Sequence, residues 1–167
     1  MKSKWDNNTI DFARKSENIC DSYLMYLTGH TSQQWFKSMV KEKENNRTDY
    51  SSIDIKNRSL TVELKTRNIN IDKYQDIMIE PAKFNALTGA TTDKSIYINF
   101  LGSEKEFIIF DIKEIMFLPI RKETDINISN KELGKDYDYT TNRLFFNKIY
   151  GHYYKLDESN NKYKKIW

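Results

Sequence analysis

Between Ser51 and Arg67 two short runs alternate from side to side. Val62, Leu64 and Thr66 alternate with Glu63, Lys65 and Arg67. Further upstream, Ile53 and Ile55 flank Asp54. A period of two marks half-buried strands. Asn57-Arg58-Ser59, between the two runs, has turn chemistry. The stretch predicts a β-hairpin. On its second strand Glu63 and Lys65 share a face, because side chains repeat every second residue. A twisted hairpin is expected to bring Asp54 to them at one end.

That arrangement would gather two carboxylates and one ammonium. Hard divalent cations such as Mg²⁺ take oxygen ligands of this kind. A lysine beside such an ion orients or deprotonates a water, or offsets developing negative charge.

Asp54, Glu63 and Lys65 resemble the motif of the PD-(D/E)XK, or restriction-endonuclease-like, nuclease superfamily. Asp54 matches the Asp at a strand end, and Glu63-Leu64-Lys65 matches the acidic-x-Lys of the next strand. Ser52-Ile53 stands where a Pro and its neighbour often lie, so the nominal Pro is absent. The resemblance covers roughly the first two-thirds of the chain. It implies an α/β restriction-endonuclease-like core, a mixed β-sheet flanked by helices, here with a C-terminal β-rich extension. It implies Mg²⁺, with Mn²⁺ able to substitute, held by Asp54, Glu63 and the Leu64 carbonyl. Glu17 matches the Glu of the first core helix and would complete the shell. Lys65 would position the attacking water. DNA would be the substrate, in phage or other DNA processing, with Arg67, Lys83 and Tyr74 as contacts. A homodimer would let so small a nuclease cut both strands.

Acidic-x-Lys also occurs at Asp54-Ile55-Lys56 and Asp111-Ile112-Lys113. The first lacks a clear strand carboxylate upstream, since Asp49 closes the polar run Asn45-Asn46-Arg47-Thr48-Asp49. The second follows Phe107-Ile108-Ile109-Phe110 and starts a loop or helix. Glu63 and Lys65 also admit a plainer reading, a charge pair on a solvated sheet face. A non-catalytic nucleic-acid-binding or assembly module on the same fold is the alternative function.

The chain has 167 residues, which favours a single domain over 1–167. Its mean hydropathy is −0.78, but 14% aromatic residues supply large buried areas. No run of 18 apolar residues is present, so no membrane span is expected. The N-terminal residues lack the apolar core of a secretory signal, and Cys20 is the lone cysteine. These features point to the cytoplasm. Two His and one Cys argue against a zinc site. A net charge of +3 permits DNA binding without demanding it. Lys162, Lys164 and Lys165 with nearby Tyr153, Tyr154, Tyr163 and Trp167 would either hold phosphates and bases or form the solvated face of a hairpin.

Along the chain, Ile10 to Leu27 predicts a helix stopped at Gly29. Ala13, Cys20, Leu24 and Leu27 line one stripe, and Glu17 sits in it or reaches solvent at its edge. Thr31 to Lys43 reads as a second helical segment. Asp72 to Glu80 reads as a strand or irregular approach. Pro81 opens a helix to Thr88, closed by Gly89. Ser95–Leu101 and Phe107–Asp111 read as strands, and Glu114–Leu118 as a short apolar segment. Arg121–Thr141 is polar and without pattern. Asn142–Trp167 reads as two or three strands with a turn at Glu158–Asn161.

Overall fold

The computed structural model of the chain describes residues 40–41, 50–53, 56–67, 69–101, 103–129, 138–160 and 162–167. They form a mixed α/β fold, rich in strands. In order, these are β1 (Val40–Lys41), β2 (Tyr50–Ile53), β3 (Ser59–Arg67), a 3₁₀ turn (Ile71–Lys73) and β4 (Asp76–Ile79). Then come α1 (Pro81–Thr88), β5 (Lys94–Leu101), β6 (Ser103–Asp111), α2 (Ile112–Ile115) and β7 (Ile120–Ser129). Last are β8 (Asp138–Asn147), a 3₁₀ turn (Lys148–Tyr150), β9 (His152–Asp157) and β10 (Lys162–Lys165).

Seven strands make the main sheet, in the order β1-β2-β3-β5-β6-β9-β10. β4, β8 and β7 make a second, antiparallel sheet. The predicted hairpin is β2 and β3, with Ile53 opposite Ser59 and Tyr50 opposite Val62. Its turn holds Asn57 at φ 60°, a left-handed conformation that Asn tolerates better than most residues. β3 runs parallel to β5, from Leu60 opposite Lys94 to Arg67 opposite Leu101. Parallel neighbours need a crossover. Here the 3₁₀ turn, β4 and α1 supply it.

The two faces of the main sheet carry separate cores. Leu60, Val62, Ile96, Ile98, Phe100, Phe107 and Ile109 pack together on one. On the other, Tyr97, Leu101, Ile108 and Phe110 meet Ile77 and Ile79 of β4, Leu87 of α1, Ile112 and Ile115 of α2, and Phe146 of β8. Both described helices and the small sheet therefore cover one side. Phe110 and Phe146 meet edge to face at 4.6 Å. Each fully buried side chain of this size contributes about 1.5–3 kcal/mol relative to exposure. Gly151 leads into β9 beside this cluster: a Cβ there would lie 2.6 Å from the Phe110 ring, so only a hydrogen fits.

α1 keeps both predicted ends. Pro81 takes its first turn, where a missing N–H costs nothing, and Gly89 closes it with its N–H donated to the Asn85 carbonyl. Other segments differ from the sequence reading. Val40–Lys41 pairs with Tyr50–Ser51 as a strand, so the end of the expected helical segment Thr31–Lys43 yields to a ladder. Asp72–Glu80, expected as a strand or irregular approach, does hold a strand, β4, after the end of the 3₁₀ turn. Most of the apolar segment Glu114–Leu118 lies beyond α2, which begins at Ile112 under an Asp111 cap. The patternless stretch Arg121–Thr141 contains β7 and the start of β8. The C-terminal β-rich extension is divided: β8 joins the small sheet, while β9 and β10 complete the edge of the main one. The expected helix Ile10–Leu27 lies outside the described residues. Among the described residues no helix is long and apolar enough to cross a membrane.

Candidate functional site

β3 places its side chains as the alternation requires. Leu60, Val62 and Leu64 turn to one core. Glu63 and Arg67 turn to the other side, toward α1, β4 and Tyr97. Lys65, between them, shares that face by the strand period. Its register partner on β5 is Asn99, and that of Glu63 is Tyr97. The strip is polar in an otherwise apolar strand pair.

Glu63 is 5% exposed. A carboxylate that deep needs a partner. Lys83 Nζ, from the first turn of α1, donates to Glu63 Oε2 at 3.0 Å. The anchor points of α1 explain the reach. Leu87 is fully buried, Phe84 packs against the same core, and Pro81 fixes the entering chain. Lys83 itself is 25% exposed, so its ammonium lies at the border with solvent. Lys65 is half-buried and has no hydrogen-bond or ion-pair partner among the described residues. Two residues along a strand separate Glu63 and Lys65 by about 6.7 Å between Cα atoms.

Arg67 differs in kind. Its Nε donates to Asn99 Oδ1 at 2.9 Å, and its Nη2 donates to the Met78 carbonyl and to Tyr97 Oη at 3.0 Å. Tyr97 Oη in turn donates to the Met78 carbonyl at 3.0 Å. Burial pushes the Tyr97 hydroxyl above its ordinary pKa, against the opposing pull of the Arg67 guanidinium. The phenol therefore stays protonated and keeps its donor role. The Arg67 guanidinium ties β3 to β4 and β5. The sequence reading makes Arg67 a DNA contact; in the structure these hydrogen bonds are spent on the fold.

Of the other residues singled out from sequence, Tyr74 is 49% exposed on the loop into β4. Leu64 points its side chain to the opposite core. Asp54 and Glu17 lie outside the described residues. Ile53, which precedes Asp54 in the chain, pairs with Ser59, and that pair is four residues, about 13 Å, before Glu63 along β3. Of the competing acidic-x-Lys strings, Asp111 caps α2 through the Lys113 N–H and holds Lys94 Nζ at 3.1 Å. That carboxylate is structural. Among the described residues no three His, Cys, Asp or Glu side chains gather as a metal group.

The sequence reading misses the Arg67–Tyr97–Asn99 network. Its signal is Ser95, Tyr97 and Asn99 recurring at every second residue of β5, all buried. Polar residues on one face of a buried strand announce a polar partner on the next. It also misses a cavity of about 200 Å³ at the end of the sheet, whose polar lining is Arg58, Lys94, Asp111, Glu114, Tyr150 and His152. Comparison with known proteins places this chain in no family: no family model, no curated protein and no solved structure matches it.

Proposed function

We propose that this chain is a metal-dependent nuclease that hydrolyses DNA phosphodiester bonds on a PD-(D/E)XK-like core. One observation carries the reading: on one face of β3 a 5%-exposed carboxylate, Glu63, stands two residues from a half-buried lysine, Lys65, that has no partner among the described residues. With no partner among the described residues, the Lys65 side chain suits a site that receives an anion. Element order supports the same reading, since a hairpin leads through a helix into a strand parallel to the one carrying Glu63.

Among the described residues Glu63 alone of the sequence-predicted ligands offers carboxylate oxygens there, and its Oε2 is held by Lys83. A second carboxylate must come from beyond the described residues, and Asp54 and Glu17 are the candidates of the resemblance.

A bound Mg²⁺, or Mn²⁺ in its place, would polarise the scissile phosphate and acidify the attacking water. Lys65 would donate to a phosphate oxygen as negative charge develops. Arg67 would hold the end of β3 in place. Lys83 and Tyr74 would meet the DNA backbone.

Thermal melting with and without metal tests the site. At ten times its Kd, a cation that binds only the folded chain stabilises it by about 1.4 kcal/mol. Mg²⁺ or Mn²⁺ should raise the melting temperature of the wild type. Glu63→Gln should remove the shift, and Asp54→Asn should reduce it. No shift in wild type at any millimolar concentration would count against a cation site.

A further inference from the structure

The cavity at the end of the main sheet opens on the face opposite Glu63, because Leu60, Ile96 and Ile109 of the first core line it. We propose that it takes a guanine nucleotide, with the base inside and the phosphate at the mouth. Binding there needs neither metal nor cleavage.

The floor is apolar and broad. Leu60, Ile96 and Ile109 supply it from three adjoining strands, β3, β5 and β6. Neighbouring strands lie about 4.8 Å apart, so three of them span about 10 Å. That width suits a fused two-ring base better than a single ring. Tyr150 adds an aromatic wall. The volume, about 200 Å³, is below that of most drug-sized sites, so the sugar and phosphate stay outside.

The polar groups around this floor are of both signs. Strand pairing sets Lys94 beside Leu60, Asp111 beside Ile96 and His152 beside Ile109. Lys94 Nζ donates to Asp111 Oδ2 at 3.1 Å, and an ammonium has three donors, so this bond does not exhaust it. Glu114 Oε1 lies 3.9 Å from Lys94 Nζ, too far for a hydrogen bond, and its side chain is 70% exposed. A donor and an acceptor therefore stand side by side. Guanine carries the complement along one edge, where O6 accepts while N1–H and the N2 amino group donate. Lys94 would give to O6, and Glu114 would take both N–H groups. Adenine has one donor and one acceptor on that edge, and pyrimidines lack the second ring.

Charge places the phosphate. Burial, then the positive charge of Lys165, holds the His152 imidazole below its ordinary pKa, so it is neutral at pH 7. Arg58 and Lys94 balance Asp111 and Glu114 in the lining. Lys165, exposed and close enough to act on His152, makes the margin positive. A balanced chamber with a positive margin matches a neutral base that trails a phosphate.

Isothermal titration calorimetry of the whole chain, with chelator present, tests this. The probes are GMP, inosine 5′-monophosphate, AMP and inorganic phosphate, and an oligothymidylate with one internal dG against the same strand all in T. GMP should bind most tightly. Inosine 5′-monophosphate, which lacks the N2 amino group, should be several-fold weaker, and AMP about tenfold weaker or more. Binding of GMP assigns the pocket to a free nucleotide. A preference for the dG strand without binding of GMP assigns it to a guanine within a strand. AMP or inorganic phosphate binding as tightly as GMP overturns the proposal, and so does the absence of both GMP binding and a dG preference. Glu114→Gln then separates base recognition from plain attraction of an anion. Glutamine cannot accept both N–H groups, so GMP should bind about tenfold more weakly. Loss of a negative charge would strengthen a simple phosphate site, so unchanged or tighter GMP binding by Glu114→Gln contradicts the proposal. The ranking of the probes on wild type decides the matter even if the variant fails to fold.

Discussion

Lys65→Ala should lower metal-dependent DNA cleavage by about 10²–10³-fold, the usual cost of removing one preorganised donor to developing charge. The fold should hardly notice. Lys65 is half-buried and gives up no hydrogen bond or ion pair among the described residues. Only the packing of its stem is lost, which for such a site is about 1 kcal/mol or less. DNA affinity, measured in Ca²⁺ in place of Mg²⁺, should fall only a few-fold, because phosphate contacts are many and scattered. Lys65→Arg should not restore the rate, since a planar fork does not replace a compact ammonium beside a cation. Cleavage within about threefold of wild type by Lys65→Ala would remove this residue from the chemistry.

Arg67→Ala, two residues along the same face, should do the opposite. It takes donors from Asn99 Oδ1, Tyr97 Oη and the Met78 carbonyl, all in the interior between β3, β4 and β5. Asn99 Oδ1 loses its donor in the interior, while the Met78 carbonyl keeps the Tyr97 hydroxyl, so a loss of about 1–3 kcal/mol is expected. The Arg67→Lys substitution keeps the charge but not the fork, and most of the loss should persist. Chemical denaturation gives the number. If Arg67→Ala unfolds like wild type and loses only DNA affinity, its network is incidental and it is a substrate contact after all.

The contrast between these two residues shows where the sequence is legible. Glu63, Lys65 and Arg67 look alike in the alternation that predicts β3. The period of two fixes their shared face, because a strand between core and polar strip has no other way to hide Val62 and Leu64. It does not say which neighbour each will meet. Lys83 reaches Glu63 across 20 positions, and Asn99 reaches Arg67 across 32. Those meetings depend on the parallel pairing of β3 with β5, a tertiary fact. α1 is readable because Pro81 and Gly89 are local devices, effective whatever the helix packs on. β7 is not, because Arg121, Lys122, Glu123 and Thr124 follow one another with no apolar period. Its pairing with β8 comes from the ladder and from contacts such as Arg121 over the Phe145 ring at 4.4 Å. The candidate site is legible in its residue types at Glu63 and Lys65, and illegible in its ion pair with Lys83.

The most direct test is incubation of the purified chain with duplex, branched and single-stranded DNA in millimolar Mg²⁺ or Mn²⁺, with chelator controls. The account predicts cleavage of at least one substrate by wild type, none with chelator, and none by Glu63→Gln. A folded wild-type protein that cuts none of them in either metal would contradict it.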